Sequence, residues 1–301
     1  MSIRARALAL LTLAAAPLAL ASQTARAATL PPHPPLRILI ISDEVNPNNL
    51  ADAELTQPGD LEAAISSPGA GLNLADIREV SSQCIDDALA DLASPTPPDV
   101  VIYFAHQPSR ECGGPVNQPL LTTALEQHLT AGRGVVVFHH GIYQANGKEQ
   151  VLALLGGQAS SISWNTQQGQ DVINVAEGHF VSENGVDYEG TIGHEDVANG
   201  IPAGTYDVFN NTPDERYPAL ALLEEPGETR TILFASYYMG APRVLGYELM
   251  RPGWGGRVVF YQPGEYQPNA LDDLDGNNFQ ILANAIVHVA PGDGDGDGDG
   301  D

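Results

Sequence analysis

The stretch GRGVVVFHHGIYQANGKEQVLALLGG, residues 132 to 157, decides the fold. It reads as a short apolar, β-branched strand that ends in two histidines, His139 and His140, before the chain turns into a helix. A continuous apolar run of this kind marks a strand buried on both faces, as in a parallel sheet covered by helices. Ligands bind such sheets at the carboxyl ends of their strands, so the histidines stand where chemistry or loop capping is done. Successive strand side chains point to opposite faces, so strand geometry carried through both residues lets only one of them face a given pocket.

Runs of the same character recur on either side: RILIIS (37 to 42), DVVIYFAH (99 to 106), TILFAS (231 to 236) and GRVVFYQ (256 to 262). Between the early ones lie helical patterns beginning at Asp60, Cys84 and Leu120, the last with Leu121, Leu125 and Leu129 at helical spacing before Gly132. Alternating strands and helices predict a doubly wound α/β domain. The second half is less regular, with strands expected at 171 to 177, 206 to 211 and 219 to 225. A closing helix over 277 to 290 places Phe279, Leu282, Ile286 and Val289 on one face. The expected fold is a flavodoxin-like three-layer α/β sandwich with a mostly parallel sheet, spanning residues 37 to 290.

The ends read differently. Residues 1 to 27 combine Arg4 and Arg6, an apolar run from Ala7 to Ala21 and a small-x-small site at Ala25 and Ala27, the pattern of a secretory signal peptide. The run is shorter than the roughly 20 residues a bilayer crossing needs, so no stable transmembrane span is expected. A proline-rich connector follows over 28 to 36, and residues 291 to 301 form an acidic Gly-Asp low-complexity tail. That tail lacks the ligand set and closing Glu of a tight Ca²⁺ loop. The expected location is secreted, periplasmic or at the cell surface.

Charge narrows the partners. The chain carries a formal charge of −25, and loss of Arg4, Arg6 and Arg26 with the leader would take it to −28. Such an acidic protein repels nucleic acid and anionic membranes. Export also bears on the only two cysteines, Cys84 and Cys112, for which an oxidising compartment favours a disulfide over two free thiols.

Several chemistries lack their residues. There is no G-x-S-x-G serine elbow, no P-loop, and no G-x-G-x-x-G following a strand. What remains is imidazole and carboxylate chemistry, suited to general acid/base work or to Zn²⁺ or Mn²⁺. His106 also ends an apolar run, and Trp164 and Trp254 offer rings for stacking on a sugar.

GRGVVVFHHG, Trp164, HEDVANGIPAG (194 to 204), DERY (214 to 217), RPGWGGRVVFYQPGEY (251 to 266) and ILANAIVHVA occur in an order and spacing that resemble the ThuA-like (trehalose-utilisation) proteins. These are a branch of the class I glutamine amidotransferase-like fold. The resemblance spans nearly the whole mature domain. It assigns the strand-end histidine to His139, with His140 as its neighbour, and the Asp-Glu-x-Tyr motif to Asp214, Glu215 and Tyr217. Two positions depart from the family: Glu265 stands where a histidine commonly follows the last glycine, and the His-Pro-Ile-Thr segment is matched at best by His194 without its proline.

True amidotransferases place a cysteine nucleophile on the strand-to-helix elbow, where this chain has His139 and His140. Glutamine hydrolysis is therefore excluded. The resemblance implies instead a carbohydrate ligand and a site of His139, Asp214, Glu215 and Tyr217, acting as a hydrolase or lyase. A divalent metal is a possible cofactor, with His139, His194, Glu215 and Glu265 as candidate ligands. The alternative is a noncatalytic exported or surface-displayed binding module.

Overall fold

The computed structural model describes residues 29 to 43, 59 to 164, 169 to 211, 214 to 238, 240 to 264 and 276 to 292. The leader, Glu265 and nearly all of the Gly-Asp tail lie outside the described residues. The first half runs β1 (Leu36–Ser42), α1 (Asp60–Ser66), β2 (Leu74–Ser81), α2 (Asp86–Leu92), β3 (Val100–Tyr103), α3 (Gln118–Thr130), β4 (Gly134–Phe138) and α4 (Glu149–Leu155). Then come β5 (Gly157–Ala159), β6 (Ser163–Trp164), β7 (Asp171–Asn174), α5 (Phe180–Glu183), β8 (Gly190–Asp196), β9 (Ile201–Asn210), β10 (Glu215–Arg216) and β11 (Leu220–Leu222). The chain closes with β12 (Thr229–Tyr238), β13 (Ala241–Met250), β14 (Val258–Tyr261) and α6 (Asn277–Val289).

Ten strands form one sheet in the order β2-β1-β3-β4-β14-β13-β12-β7-β9-β8. The sheet is not purely parallel. Strands β2, β1, β3, β4 and β14 are parallel, but every ladder from β14 to β13 and onward to β8 is antiparallel. The reason lies in the connections: β12 and β13 are joined by a tight turn through Gly240, φ +76°, and such a turn reverses the chain where a parallel pair needs a long crossover. The sheet is thus mixed, within an α/β fold.

The parallel half is sequestered on both faces. Ile38, Ile40, Val100, Ile102, Val136 and Phe138 pack on one side with Leu61 and Ile65 of α1 and with Ile281, Leu282 and Ile286 of α6. Leu39, Ile41, Val101, Tyr103, Val135 and Val137 pack on the other with Leu121, Leu125 and Leu129 of α3 and Val151 and Leu155 of α4. Strand alternation therefore works twice over, which is why these runs contain almost no polar residue. A smaller cluster of Ile173, Ile201 and Ala235 underlies the antiparallel half. No helix among the described residues is long and apolar enough to cross a membrane.

Close backbone approach fixes the end of β4. A Cβ on Gly141 would overlap the carbonyl oxygen of Tyr103 and come within 2.8 Å of a Val137 methyl, so only glycine lets the turn after β4 lie against β3. By contrast, a Cβ on Gly190 would meet nothing within 4 Å. Gly141→Ala is expected to lose about 2 kcal/mol of stability by overpacking, while Gly190→Ala stays within about 0.5 kcal/mol of the parent. Chemical denaturation of the two variants side by side checks this.

Candidate functional site

The site is built on one unusual residue. Phe138 is still extended, but His139 has φ +40°, the only positive φ outside glycine among the described residues, and His139–Ile142 forms a 3₁₀ turn. Such a conformation costs a non-glycine residue about 1–3 kcal/mol and persists only where surrounding contacts hold it. Here the ring supplies them. Nδ1 of the fully buried His139 donates to the Gln262 carbonyl at 2.6 Å, and Nε2 lies 3.0 Å from Glu215 Oε2.

The same turn overturns the expectation that the two histidines face apart. Strand geometry stops at Phe138, so the alternation that would separate them does not apply. His140 Nδ1 lies 4.0 Å from Glu215 Oε2 and 3.4 Å from the Tyr217 hydroxyl, and the two imidazoles meet edge to face at 4.7 Å. His139, His140 and Glu215 together present three ligand atoms within 4.8 Å of one another. His140 is part of the site.

Glu215 arrives on β10, a two-residue strand paired with β6. Burial pushes its carboxyl up, but the His139 hydrogen bond, the His139 and His140 charges and the Tyr217 hydroxyl outweigh that and hold it down at about 2. Asp214 has a different task. Its Oδ1 accepts from the Glu215 amide at 2.8 Å and its Oδ2 from the Gly264 amide at 2.6 Å, pinning β10 to the turn after β14. Gln262 closes the other side, donating from Nε2 to the Glu215 carbonyl at 2.8 Å while its own carbonyl orients His139. Nothing in the sequence singles Gln262 out except its place at the carboxyl end of a buried strand.

The rim comes from the ends of β1 and β3, where the strand order reverses, the usual place for a crevice. Asp43 accepts from the amides of His106 at 2.6 Å and Gln107 at 2.8 Å. The His106 ring stacks on His140 at 5.7 Å and meets Tyr143 edge-on at 4.7 Å. Burial pushes the His106 imidazole down to about 4, helped by the His140 and Lys148 charges and opposed by Asp43 and Glu215, so it is neutral at physiological pH. Beneath, the fully buried Lys148 Nζ reaches the carbonyls of Ala105 at 2.7 Å, Tyr143 at 2.8 Å, Gly141 at 3.2 Å and His140 at 3.3 Å. It ties the β3 exit to the histidine turn. Burial lowers this ammonium to about 7, partly opposed by the Asp43 charge.

The other candidate positions fall elsewhere. His194 lies on β8 between the rings of Tyr206 and Tyr237, its two nitrogens buried without a hydrogen-bond partner, and it is not among the groups that converge on Glu215. It is a candidate third metal ligand only if it converges on His139 and Glu215, and its place on β8 keeps it out of that group. Trp254 follows β13, ahead of β14 and so away from the carboxyl ends of the parallel strands, and its ring lies beneath Arg251. Cys84 and Cys112 are joined in a disulfide that links the turn before α2 to the loop after β3. A second cluster went unread in the sequence: His179, Glu248 and His288 also bring three ligand atoms within 4.8 Å, from α5's N-cap, β13 and α6.

No protein-family model and no curated protein matches the chain. Solved structures do. A ThuA-like protein from Parabacteroides merdae superposes with a TM-score of 0.55 at 13% identity, over 85% of this chain and 90% of that one. Another from Bacteroides uniformis gives 0.54 at 15% identity, over 87% and 96%. At these identities the likeness speaks for architecture, and the fold of this chain is that of the ThuA-like proteins.

Proposed function

We propose that this is an exported protein that acts on a carbohydrate through the His139–Glu215 pair, as a hydrolase or lyase without a covalent cysteine intermediate. One observation carries the reading: a buried imidazole from the turn after β4 meets a carboxylate and a phenol from the segment 215 to 217 at the carboxyl edge of the sheet. The family resemblance of the motifs supports the substrate class, and the leader-like first 27 residues support the location. The strand order of the parallel half and the helices on its two faces support the finer, flavodoxin-like description of the layering.

The chemistry follows from the hydrogen bonds. A carbonyl only accepts, so the Gln262 contact puts a proton on His139 Nδ1. In the acid form a second proton sits on Nε2, where Glu215 Oε2, 3.0 Å away, is placed to accept the hydrogen bond. That Nε2 proton can pass to a departing sugar oxygen, after which the neutral ring takes a proton from an attacking or eliminating group. Glu215 steadies the imidazolium that donates in the first step and forms again in the second, and the Tyr217 phenol sits beside the ring at 5.1 Å between centroids.

A noncatalytic binding module is the second reading. Glu265 favours it, because ThuA-like proteins commonly have a histidine there. Thermal-shift screening of neutral mono- and disaccharides separates the possibilities, since a ligand bound by the native state raises apparent stability. The acid/base reading predicts a sugar that stabilises the wild type and is turned over, with turnover reduced at least a hundredfold in Glu215→Gln while the shift persists. Stabilisation without turnover would favour the module, and the absence of any sugar response would remove the carbohydrate from both.

The pair also predicts an acid profile. Because the Glu215 carboxyl lies below its ordinary value in the folded protein, its stabilisation is present above about pH 4.5 and is lost as the pH falls towards 2. In chelator-treated protein, Glu215→Gln should lose about 2 kcal/mol at pH 7 and show a flatter stability profile between pH 4.5 and 2. Urea denaturation across that range measures both.

A further inference from the structure

Two clusters of the same composition, two histidines and one glutamate, invite comparison, and their hydrogen bonds set them apart. A neutral imidazole can bind a metal through one nitrogen only if the other carries the proton. At His139 the Gln262 carbonyl fixes that proton on Nδ1 and directs Nε2 at Glu215 Oε2, the arrangement in which a backbone carbonyl orients a metal-binding histidine. At His179 the relation is reversed. Nδ1 accepts from the Val181 amide at 3.2 Å, so Nε2 carries the proton and donates it to Glu248 Oε2, also at 3.2 Å. Arg257 adds a fixed positive charge there, with Nη1 3.6 Å from Glu248 Oε1 and 3.1 Å from His288 Nε2. At the second cluster the Glu248 charge is already met by Arg257.

Spacing supports the first cluster. With metal–nitrogen and metal–oxygen bonds of about 2.0–2.2 Å, neighbouring ligand atoms on one ion lie roughly 3.0–3.5 Å apart. The observed separations from Glu215 Oε2 are 3.0 Å to His139 Nε2 and 4.0 Å to His140 Nδ1, so small side-chain adjustments suffice. The left-handed backbone at His139 is a third, independent sign. It brings consecutive histidines to one point, which neither a strand nor a helix does.

We propose that His139 Nε2, His140 Nδ1 and Glu215 Oε2 form a facial site for one divalent transition ion, of which Zn²⁺ is the best fit. Two imidazoles and one carboxylate leave coordination positions open on the side of Tyr217 and His106, where a sugar hydroxyl or carbonyl oxygen can bind the ion. The proposal rests on the same site as the carbohydrate reading but makes a separate claim, the resident cation: with the ion on Nε2 that nitrogen holds no proton, and the acid/base step belongs to the metal-free protein. Lewis-acid polarisation of that oxygen is what the ion would supply, and Tyr217 and His106 stand beside it.

The test is zinc binding by the full-length protein, measured by calorimetric titration and elemental analysis after chelator treatment. Millimolar Ca²⁺ is kept present to occupy the Gly-Asp tail, whose oxygen ligands suit a hard cation. One Zn²⁺ per chain is expected, with affinity lowered a hundredfold or more in both Glu215→Gln and His140→Asn, each of which keeps the His139–Gln262 pair, and unchanged in His288→Gln at the second cluster. Circular dichroism establishes that each variant is folded. Zinc uptake that is absent in the wild type, or unaltered in Glu215→Gln and His140→Asn, overturns the proposal. Absent zinc with an intact sugar response would remove the ion and leave the acid/base pair. Zinc uptake with no sugar response would keep the ion and remove the carbohydrate.

Discussion

Everything at the carboxyl edge of this sheet depends on how the chain leaves β4. Gly141 lies so close to the Tyr103 carbonyl that no side chain fits, and the turn that carries it begins at His139, directly after the strand ends. His139 is left in a left-handed conformation that its own ring bonds must sustain. The strain and the site are therefore one feature. Glu215 and the Gln262 carbonyl hold the ring in place, and the ring in turn holds the backbone that brings His140 alongside.

A second set of bonds makes that turn rigid. Lys148 gathers four carbonyls from the β3 exit and the histidine turn without any carboxylate within hydrogen-bond reach in that set. An ammonium so placed is costly to desolvate, and the carbonyl dipoles are what offset the cost. Asp43 does the matching work with the opposite sign, taking the amides of His106 and Gln107. Asp214 completes the frame by joining β10 to the turn after β14. The residues with the most evident charge near the candidate site are thus spent largely on backbone, while His139, His140, Glu215, Tyr217 and His106 engage chiefly one another.

Legibility in the sequence followed burial. β1, β3, β4 and β14 are buried on both faces and announce themselves as unbroken apolar runs, α3 shows its spacing because one helical stripe enters the core, and α6 is apolar enough to read although it is buried almost all round. β2 escapes such a reading because it is an edge strand whose residues are mostly part-exposed. β13 escapes it because Pro242 and Gly246 interrupt the pattern, although Gly246 is needed there to leave room for Phe234 and the Phe260 carbonyl. Long-range partners leave no periodic trace at all. The meeting of His179 and His288 on Glu248 joins three elements far apart in the chain, and only the folded structure brings them together.

The site was legible in its members more than in its geometry. His139, Glu215 and Tyr217 could be named from motif order, but strand alternation, extended one residue too far, separated His140 from them. The most direct measurement of the account is side-chain ¹H–¹⁵N NMR of the imidazoles in chelator-treated protein near neutral pH. The account predicts that one ring, absent from His139→Gln, has a slowly exchanging proton on Nδ1 and that its Nε2 resonance moves in Glu215→Gln. A His139 ring protonated on Nε2 alone, or one indifferent to Glu215→Gln, would contradict it.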